Sequence, residues 1–315
     1  MDESTRAGGG RDAPPSGRKV RGYAEVAKET RSGLLEQVLE HRSRLAARLV
    51  GVGCIVGVVS GKGGVGKSAV TANLAVTLAR RGARVGVVDA DLNGPCLGRM
   101  LGLLGSKLED GPDGVHPATG PSGVVGISTE LLLDESVPLR WRGPESDSFI
   151  WQGTTEVAVL REFLSDVVWG ELDYLLVDVP PGTDKISRFL DLVAEPHQVL
   201  LVTIPSSVSV SVVSRAATLL RRAGVETVRI VGNMTGYSPP GAEASLPLFS
   251  RFGVAELAES SGLEIWAEVP FDPEFGALTD GGDSPGSKHP GAVGSAFGAL
   301  AEKVEGGPGG RNRTE

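Results

Sequence analysis

Short apolar runs alternate with amphipathic stretches along most of the chain. The apolar runs predict strands at CIVGVVS, ARVGVVDA, VVGIST, DYLLVDV, QVLLVTI, TVRIVGN and LEIWAEV. Helical spacing occurs between them, at about 67–81, 154–168, 185–194, 208–223 and 290–304. Because strands that are apolar throughout are covered on both faces, the pattern predicts a three-layer α/β fold with a mostly parallel central sheet.

Some parts of the chain depart from this alternation. Region 105–150 interrupts it and is predicted to be an insertion of hairpin and loop. Residues 23–50 predict an N-terminal helix that either packs on the core or binds a partner. Residues 1–22 and 306–315 are polar and glycine-rich, so we expect disordered tails there. The main domain is therefore predicted to span 51–305.

Composition narrows the classes of function. The net charge of −8 argues against a broad nucleic-acid-binding surface. The two cysteines, Cys54 and Cys96, form neither a disulfide framework nor a C-x-x-C pattern, which is typical of a reduced cytoplasmic compartment. The sequence shows no signal peptide and no apolar run of about 18 residues, so we expect a cytoplasmic protein without a membrane span. The histidines, interpreted as structural or surface residues, are His41, His116, His197 and His289.

Residues 60–68 read SGKGGVGKS and lie between a predicted strand and a predicted helix. The spacing Gly61-x-x-x-x-Gly66-Lys67-Ser68 is the complete P-loop pattern. Glycines let backbone N–H groups surround phosphate oxygens, Lys67 reaches the β- and γ-phosphates, and Ser68 offers its hydroxyl to Mg²⁺. The predicted nucleotide-binding residues here are Gly61, Lys62, Gly63, Gly64, Val65, Gly66, Lys67, Ser68 and Ala69.

Acidic residues follow two of the predicted strands. Asp89 and Asp91 lie in VVDADLNGP, and Asp178 ends the strand in DYLLVDVPPGTD. Because ligands of parallel sheets lie beyond the carboxyl ends of the strands, both groups should face the edge that carries the P-loop. Asp178 would hold Mg²⁺ through water, and one of Asp89 and Asp91 would orient or activate the attacking water. The predicted Mg²⁺ set is Ser68, Asp89 and Asp178; the alternative is that the aspartates only cap the following helices.

Several stretches resemble one protein family. KGGVGKS resembles the deviant Walker A motif of the MinD/ParA/nitrogenase-iron-protein group. Within that group, the chain is similar to the Mrp family of ATP-binding iron–sulfur cluster carriers over about residues 54–280, in DADLNGP, RMLGL, WRGP, WGELDYLLVDVPPGT, NMTGY and EVPFDPEF. The resemblance implies an Mg-dependent ATPase that acts in cluster assembly or transfer, with an iron–sulfur scaffold or apo-protein as client. ATP is favoured over GTP because no N/T-K-x-D guanine motif is present.

The resemblance also implies roles for single residues. Lys62 would reach the phosphates bound by the partner subunit, so that a homodimer encloses ATP at its interface and receives a second cation in trans. Asp91 resembles the catalytic aspartate of switch I, beside Lys62 and Lys67, and Asp178 begins switch II. The residues that would contact the adenine base are Asn233, Pro270 and Asp272.

The chain departs from the family pattern at several places. The stretch TGYSPPGAEASLPLF lacks the usual C-x-x-C pair that ligates a bridging cluster, and PPGTDK replaces the usual PPGTGD. Cys54 and Cys96 flank strands at opposite edges, roughly 20 Å apart, so they cannot share a cluster within one subunit. Cys96 from two subunits could meet in a dimer; otherwise both cysteines are structural. The alternative functions are a MinD/ParA-like ATP-dependent dimer switch and a nucleotide-gated adaptor that holds no cluster.

Overall fold

The computed structural model describes residues 34–92, 94–106, 108–132, 148–193, 196–239, 245–249 and 253–310. The chain divides into two compact units, Met1–Ser43 and Arg44–Glu315, and the second contains the sheet. The tail predicted at 1–22 lies outside the described residues. So does the first part of the predicted N-terminal helix, whose described part is α1, Leu34–Leu49.

Eight of the described strands form one sheet, in the order β10-β9-β8-β1-β7-β2-β6-β5. Its neighbouring strands are parallel except β5 and β6, and β3 and β4 form a separate antiparallel hairpin. The predicted α/β fold with a mostly parallel sheet is confirmed. The strands are β1 Val52–Val59, β2 Val85–Asp89, β3 Glu109–Gly111, β4 Gly114–His116, β5 Ala118–Thr119, β6 Val125–Ile127, β7 Leu172–Asp178, β8 Gln198–Thr203, β9 Val228–Tyr237 and β10 Glu264–Phe271.

Helices lie between most of the long strands. After α1 they are α2 Lys67–Arg80, α3 Leu97–Met100, α4 Ser148–Asp166, α5 Thr183–Leu192, α6 Ser207–Arg222, α7 Val254–Ser261, α8 Pro273–Asp280 and α9 Gly291–Glu305, with 3₁₀ turns at Thr129–Leu132 and Gly286–Lys288. Helices α3, α7 and α8 were not predicted from the sequence. Helices this short show little hydrophobic periodicity, although the Asp272-Pro273 start of α8 is a usual helix beginning.

The carboxyl edge of the sheet brings three strand ends together. β1 lies between β7 and β8, and the pairing sets Val58 beside Asp178 and Asp178 beside Asp89. The chain leaves β1 through residues 60–66 and begins α2 at Lys67. The glycine loop and both strand-end aspartates therefore share one edge, as parallel pairing requires.

Side chains of β1 alternate between two core clusters on opposite faces of the sheet. Val56 and Val58 pack in one cluster with residues of α2 and α9. Ile55 and Val59 pack in the other with residues of α4, α5 and α6. Because the side chains on both faces of the central strands are buried, those strands are apolar at consecutive positions.

The chain past α9 contacts the start of β8. Gln198 Nε2 donates hydrogen bonds to Val304 O at 3.0 Å and Pro308 O at 2.9 Å. Residues 306–310, expected in a disordered tail, therefore form turns against the body of the protein, and 311–315 lie outside the described residues. Glycine and polarity suggested disorder, but a buried amide supplies a donor for carbonyls that a helix end leaves unpaired.

Candidate functional site

The loop between β1 and α2, residues 60–68, forms a cradle of backbone groups. Gly64 and Gly66 both have φ of 77°, which a residue without Cβ adopts at little steric cost. A Cβ on Gly66 would lie 2.2 Å from Asn233 Nδ2, and a Cβ on Gly61 would lie 2.0 Å from Val212 Cγ1. The glycines are therefore needed for conformation and for close packing. We call residues 60–68 the phosphate cradle.

Polar contacts of the cradle converge on Asp178, which is fully buried. Asp178 Oδ2 lies 2.7 Å from Lys67 Nζ and accepts a hydrogen bond from Ser68 Oγ at 2.6 Å. Thr71 Oγ1 donates to the other oxygen, Oδ1, at 2.8 Å. Apart from this ion pair, the buried Lys67 ammonium has no hydrogen-bond acceptor among the described residues. A cation with unused donors beside a glycine cradle suits the binding of phosphate oxygens.

Asp89 supports the residues that follow it in the chain. Its Oδ2 accepts hydrogen bonds from the N–H groups of residues 96 and 97, both at 3.1 Å, and from Ser128 Oγ at 3.0 Å. Its Oδ1 accepts from the N–H of Asp91 at 3.2 Å. Burial and the neighbouring Asp178 carboxylate raise the pKa of Asp89 to about 7, although the hydrogen bonds lower it. The capping role that the sequence analysis left open thus accounts for these contacts; the Mg²⁺ role stays a prediction.

Asp91 and Lys62 are less buried than Asp178 and Lys67. Asp91 is half-buried, and its Oδ1 accepts a hydrogen bond from the N–H of Gly94 at 3.3 Å. Lys62 is half-buried at the outer end of the cradle, where its carbonyl accepts a hydrogen bond from Ser60 Oγ at 3.0 Å. The catalytic role of Asp91 and the trans role of Lys62 stay predictions.

A small, mostly apolar pocket of about 100 Å³ lies beside the cradle. It brings together the three residues that the resemblance assigns to the base, Asn233, Pro270 and Asp272, with Gly66 and Ala69 of the predicted loop set. Asn233 Nδ2 donates to Val65 O at 2.9 Å, which connects the middle of β9 to the cradle. A small, mostly apolar pocket suits a planar ring such as a nucleotide base. We therefore call it the base pocket.

Two aromatic side chains line one wall of the base pocket, and a histidine packs against one of them. Phe275 stacks on Phe297 with ring centroids 5.3 Å apart, and His289 meets Phe275 edge-on, also at 5.3 Å. His289 Nε2 lies 3.0 Å from Asp272 Oδ2. Burial raises the pKa of Asp272, but the hydrogen bonds from His289 and from the backbone of α8 outweigh it and lower that pKa. His289 is thus structural, as expected, but its contacts with Asp272 and Phe275 were not predicted.

A buried polar residue in α2 connects that helix to the base pocket. Asn73 Nδ2 donates to Thr279 Oγ1 at 3.1 Å, and Asn73 Oδ1 accepts from the N–H of Gly286 at 2.8 Å. Thr279 lines the base pocket. These contacts were not predicted from the sequence. Their signal was a set of polar residues, Thr71, Asn73 and Thr77, inside an otherwise apolar helix.

The two cysteines lie in different surroundings. Cys54 is buried with its Sγ 3.6 Å from Gln198 Nε2, and burial raises the pKa of its thiol to about 12. Cys96 is half-buried just before α3, and burial raises its pKa to about 11, although a hydrogen bond with Ser68 lowers it. Within the described residues, no group of three or more His, Cys, Asp and Glu side chains could hold a metal ion. These thiols do not fit an iron–sulfur site, which needs several thiolates together.

The cradle, the buried lysine–aspartate pair and the base pocket lie together at the carboxyl edge of a parallel sheet, which defines a P-loop nucleotide-binding protein. A solved nucleotide-binding protein from Archaeoglobus fulgidus, in complex with ADP, is 32% identical with a TM-score of 0.66, covering 79% of this chain and 94% of that chain. The cell division ATPase MinD of Pyrococcus furiosus is 25% identical with a TM-score of 0.56, covering 81% and 99%.

The chain belongs to the ParA-type family described as NUBPL iron-transfer P-loop NTPase, whose sequence profile matches residues 51–305. An iron-sulfur cluster carrier protein of Saccharolobus solfataricus is 36% identical over 252 residues, which are 79% of this chain and 82% of the relative. The cytosolic Fe-S cluster assembly factor CFD1 of Eremothecium gossypii is 40% identical over 229 residues, 70% and 78%. The family resemblance drawn from the sequence is confirmed. None of the described helices is long and apolar enough to cross a membrane.

Proposed function

We propose that this chain binds Mg²⁺ and ATP, hydrolyses ATP, and uses that cycle as a homodimer in cytoplasmic iron–sulfur cluster assembly or transfer. The observation that carries the proposal is the convergence of Lys67 and Ser68 on the buried carboxylate of Asp178 beside the cradle. The bound ADP of the Archaeoglobus fulgidus protein supports the nucleotide, and the names of the curated relatives support the cluster role.

The oxygen atoms of Ser68 and Asp178 fit Mg²⁺, which prefers carboxylate and hydroxyl oxygens and keeps several of its waters. Held by these two residues, the ion would offset the negative charge of the nucleotide phosphates. Lys67 would donate hydrogen bonds to phosphate oxygens. Asp89 would support this arrangement from one strand further along the sheet, since its carboxylate holds the start of α3.

The remaining steps use residues nearer to solvent. Asp91 orients the attacking water. Lys62 of the partner subunit supplies a second cation to the phosphates, so that ATP binding joins two subunits and hydrolysis releases them. The base lies in the base pocket, where Asn233, Pro270 and Asp272 surround it.

The cluster is handled without a thiolate site built from the described residues. Cys54 is buried away from solvent, and Cys96 is a single half-buried thiol beside Ser68. We therefore propose that an iron–sulfur scaffold or apo-protein client holds the cluster while this chain drives binding and release. The same geometry favours a second candidate, an ATP-dependent dimer switch or adaptor whose client carries no cluster.

Two measurements on the full chain test the ATPase part. Mg-dependent ATP turnover is expected in the wild type, and Lys62→Ala should lower it by about 10³-fold, as removal of a trans cation does elsewhere, while ADP still binds. Lys303→Ala is the matched control, because Lys303 lies in α9 and its ammonium donates a hydrogen bond to Ile265 O, which is not part of the cradle. Absence of turnover in the wild type, or unchanged turnover in Lys62→Ala, contradicts the proposal.

Iron and acid-labile sulfide per subunit, after anaerobic reconstitution, test the cluster part. We expect no stoichiometric iron in either the wild type or Cys96→Ser. Stoichiometric iron that is lost in Cys96→Ser would instead show a cluster bound by Cys96 in the dimer. Cluster transfer from a loaded scaffold protein, measured with and without ATP, then separates the assembly role from the dimer-switch role.

A further inference from the structure

We infer that Thr71 is a positioning residue for Asp178 and thereby sets how strongly Mg²⁺ tightens nucleotide binding. The inference rests on the proposed function, because it assumes that Asp178 serves a Mg²⁺-dependent nucleotide site. Thr71 lies one turn after Lys67 in α2 and is fully buried. No motif of the P-loop pattern includes it.

The two oxygens of the Asp178 carboxylate have different partners. Oδ2 faces Lys67 Nζ at 2.7 Å and Ser68 Oγ at 2.6 Å, and Oδ1 accepts the hydroxyl of Thr71 at 2.8 Å. Lys67 and Ser68 each have another proposed partner, the phosphates and Mg²⁺. Thr71 has no such second task. It is therefore the contact that keeps Asp178 oriented when the other two side chains turn toward the ligand.

The Thr71 hydroxyl has a second possible hydrogen-bond acceptor within its own helix. Thr71 Oγ1 also lies 3.0 Å from Lys67 O, the bond to the carbonyl one turn back that buried threonines often make. The hydroxyl has one proton, and the distance to Asp178 Oδ1 is shorter at 2.8 Å. A bond to an ionised acceptor in a buried site is also stronger than one to a neutral carbonyl. The proton thus belongs to the contact with Asp178.

The consequence of losing this bond follows from where it lies. Without the hydroxyl, Asp178 Oδ1 is a buried carboxylate oxygen without that donor, and the carboxylate is free to rotate away from the Mg²⁺ position. Outer partners of metal-binding groups typically change metal affinity by about 10–100-fold. The effect should therefore appear in the Mg²⁺ dependence of binding and not in the metal-independent part of nucleotide affinity.

The test is ADP binding by calorimetry to the full chain, in EDTA and across a Mg²⁺ titration. Thr71→Val should raise the Mg²⁺ concentration needed for half of the affinity gain by about tenfold, with the EDTA affinity within about twofold of wild type. Thr71→Ser keeps the hydroxyl and should restore the wild-type Mg²⁺ dependence. ADP is not hydrolysed, so the result does not depend on turnover.

Thr77→Val is the matched control, because Thr77 is also fully buried in α2 but does not contact Asp178. Its hydroxyl donates to Asn73 O at 2.7 Å and accepts from the N–H of Ser287 at 3.0 Å. It should lose stability without a shift in Mg²⁺ dependence. A wild-type Mg²⁺ response in Thr71→Val, or an equal shift in Thr77→Val, overturns the inference. If Thr71→Val does not fold, Thr71→Ala replaces it with the same expected shift. Failure of the wild type to bind ADP would instead reject the proposed function.

Discussion

The phosphate cradle and the base pocket lie next to each other but are built in different ways. The cradle is a continuous stretch, residues 60–68, closed by the single distant carboxylate of Asp178. The base pocket gathers side chains from β9, the end of β10, α8 and α9, with few polar contacts. The cradle therefore depends on buried charge, and the base pocket depends on packing.

This difference predicts different effects of mutation on the binding of the phosphates and of the base. Removing one partner of a buried ion pair costs a large part of the folding free energy, because an uncompensated charge stays buried. Truncating one side chain of a packed apolar wall costs less free energy, because neighbouring groups partly fill the space. Changes in the cradle should thus affect folding and every nucleotide, whereas changes in the base pocket should affect only ligands that carry a base.

The largest effect is expected from separating the buried pair. Lys67→Met leaves the Asp178 carboxylate buried without a cation, so the free energy of unfolding should fall by about 3–5 kcal/mol. Adding Asp178→Asn removes the lone charge and should recover part of that loss, though nucleotide binding stays absent. Urea unfolding of the two variants measures both effects. A single variant as stable as the double variant would mean that the pair is not the buried charge contact described above.

An intermediate effect is expected in the base pocket. Phe275→Leu removes a ring that stacks on Phe297, so ATP affinity should fall by about threefold to tenfold, the usual worth of an aromatic contact. Inorganic tripolyphosphate should bind equally well to variant and wild type, since it uses only the cradle. Phe189→Leu, the same change in the core cluster on the other face of the sheet, is the control. Equal losses for ATP and tripolyphosphate would refute the separation of the two sites.

The smallest effect is expected at the hydrogen bond between His289 and Asp272. Because that bond helps to lower the pKa of Asp272, it stabilises the fold above the usual aspartate range, and the stabilisation is lost as pH falls through the lowered value. His289→Ala should cost about 1 kcal/mol of unfolding free energy near pH 7, and less in acid. His289→Gln, which can still donate, should retain more of it. A pH-independent difference between His289→Ala and wild type would show that packing alone is lost.

The conformation of the loop at residues 60–68 was predictable from the sequence because its determinants are local. Gly64, Gly66, Lys67 and Ser68 are neighbours in the chain, and a strand before and a helix after them suffice to orient the loop. The parallel sheet was also predictable, because the side chains on both faces of its strands are buried and leave unbroken apolar runs. The short helices α7 and α8 were not, because eight residues show little periodicity.

The remaining parts of the site needed contacts between distant residues. His289 has no ligand spacing in the sequence, yet it holds Asp272 and meets Phe275. In the sequence, Thr71 is an ordinary helix residue. Only the folded chain places Asp178 Oδ1, at the end of β7, 2.8 Å from the Thr71 hydroxyl. Likewise, the composition of residues 306–310 predicts a tail, and only the folded chain shows the hydrogen bond from Gln198 Nε2 to Pro308 O.

By itself, the sequence determined the fold class, the P-loop pattern and the family, since each is encoded in contiguous runs of residues whose local conformation the sequence specifies. Only the tertiary structure decided which partners the charged and polar side chains have. The contacts of Asp178 and the raised pKa of Asp89 both depend on neighbours in space, because burial and the nearby Asp178 carboxylate raise the pKa of Asp89 and Lys67 pairs with Asp178. Neighbours from other strands and helices exist only once the sheet has formed.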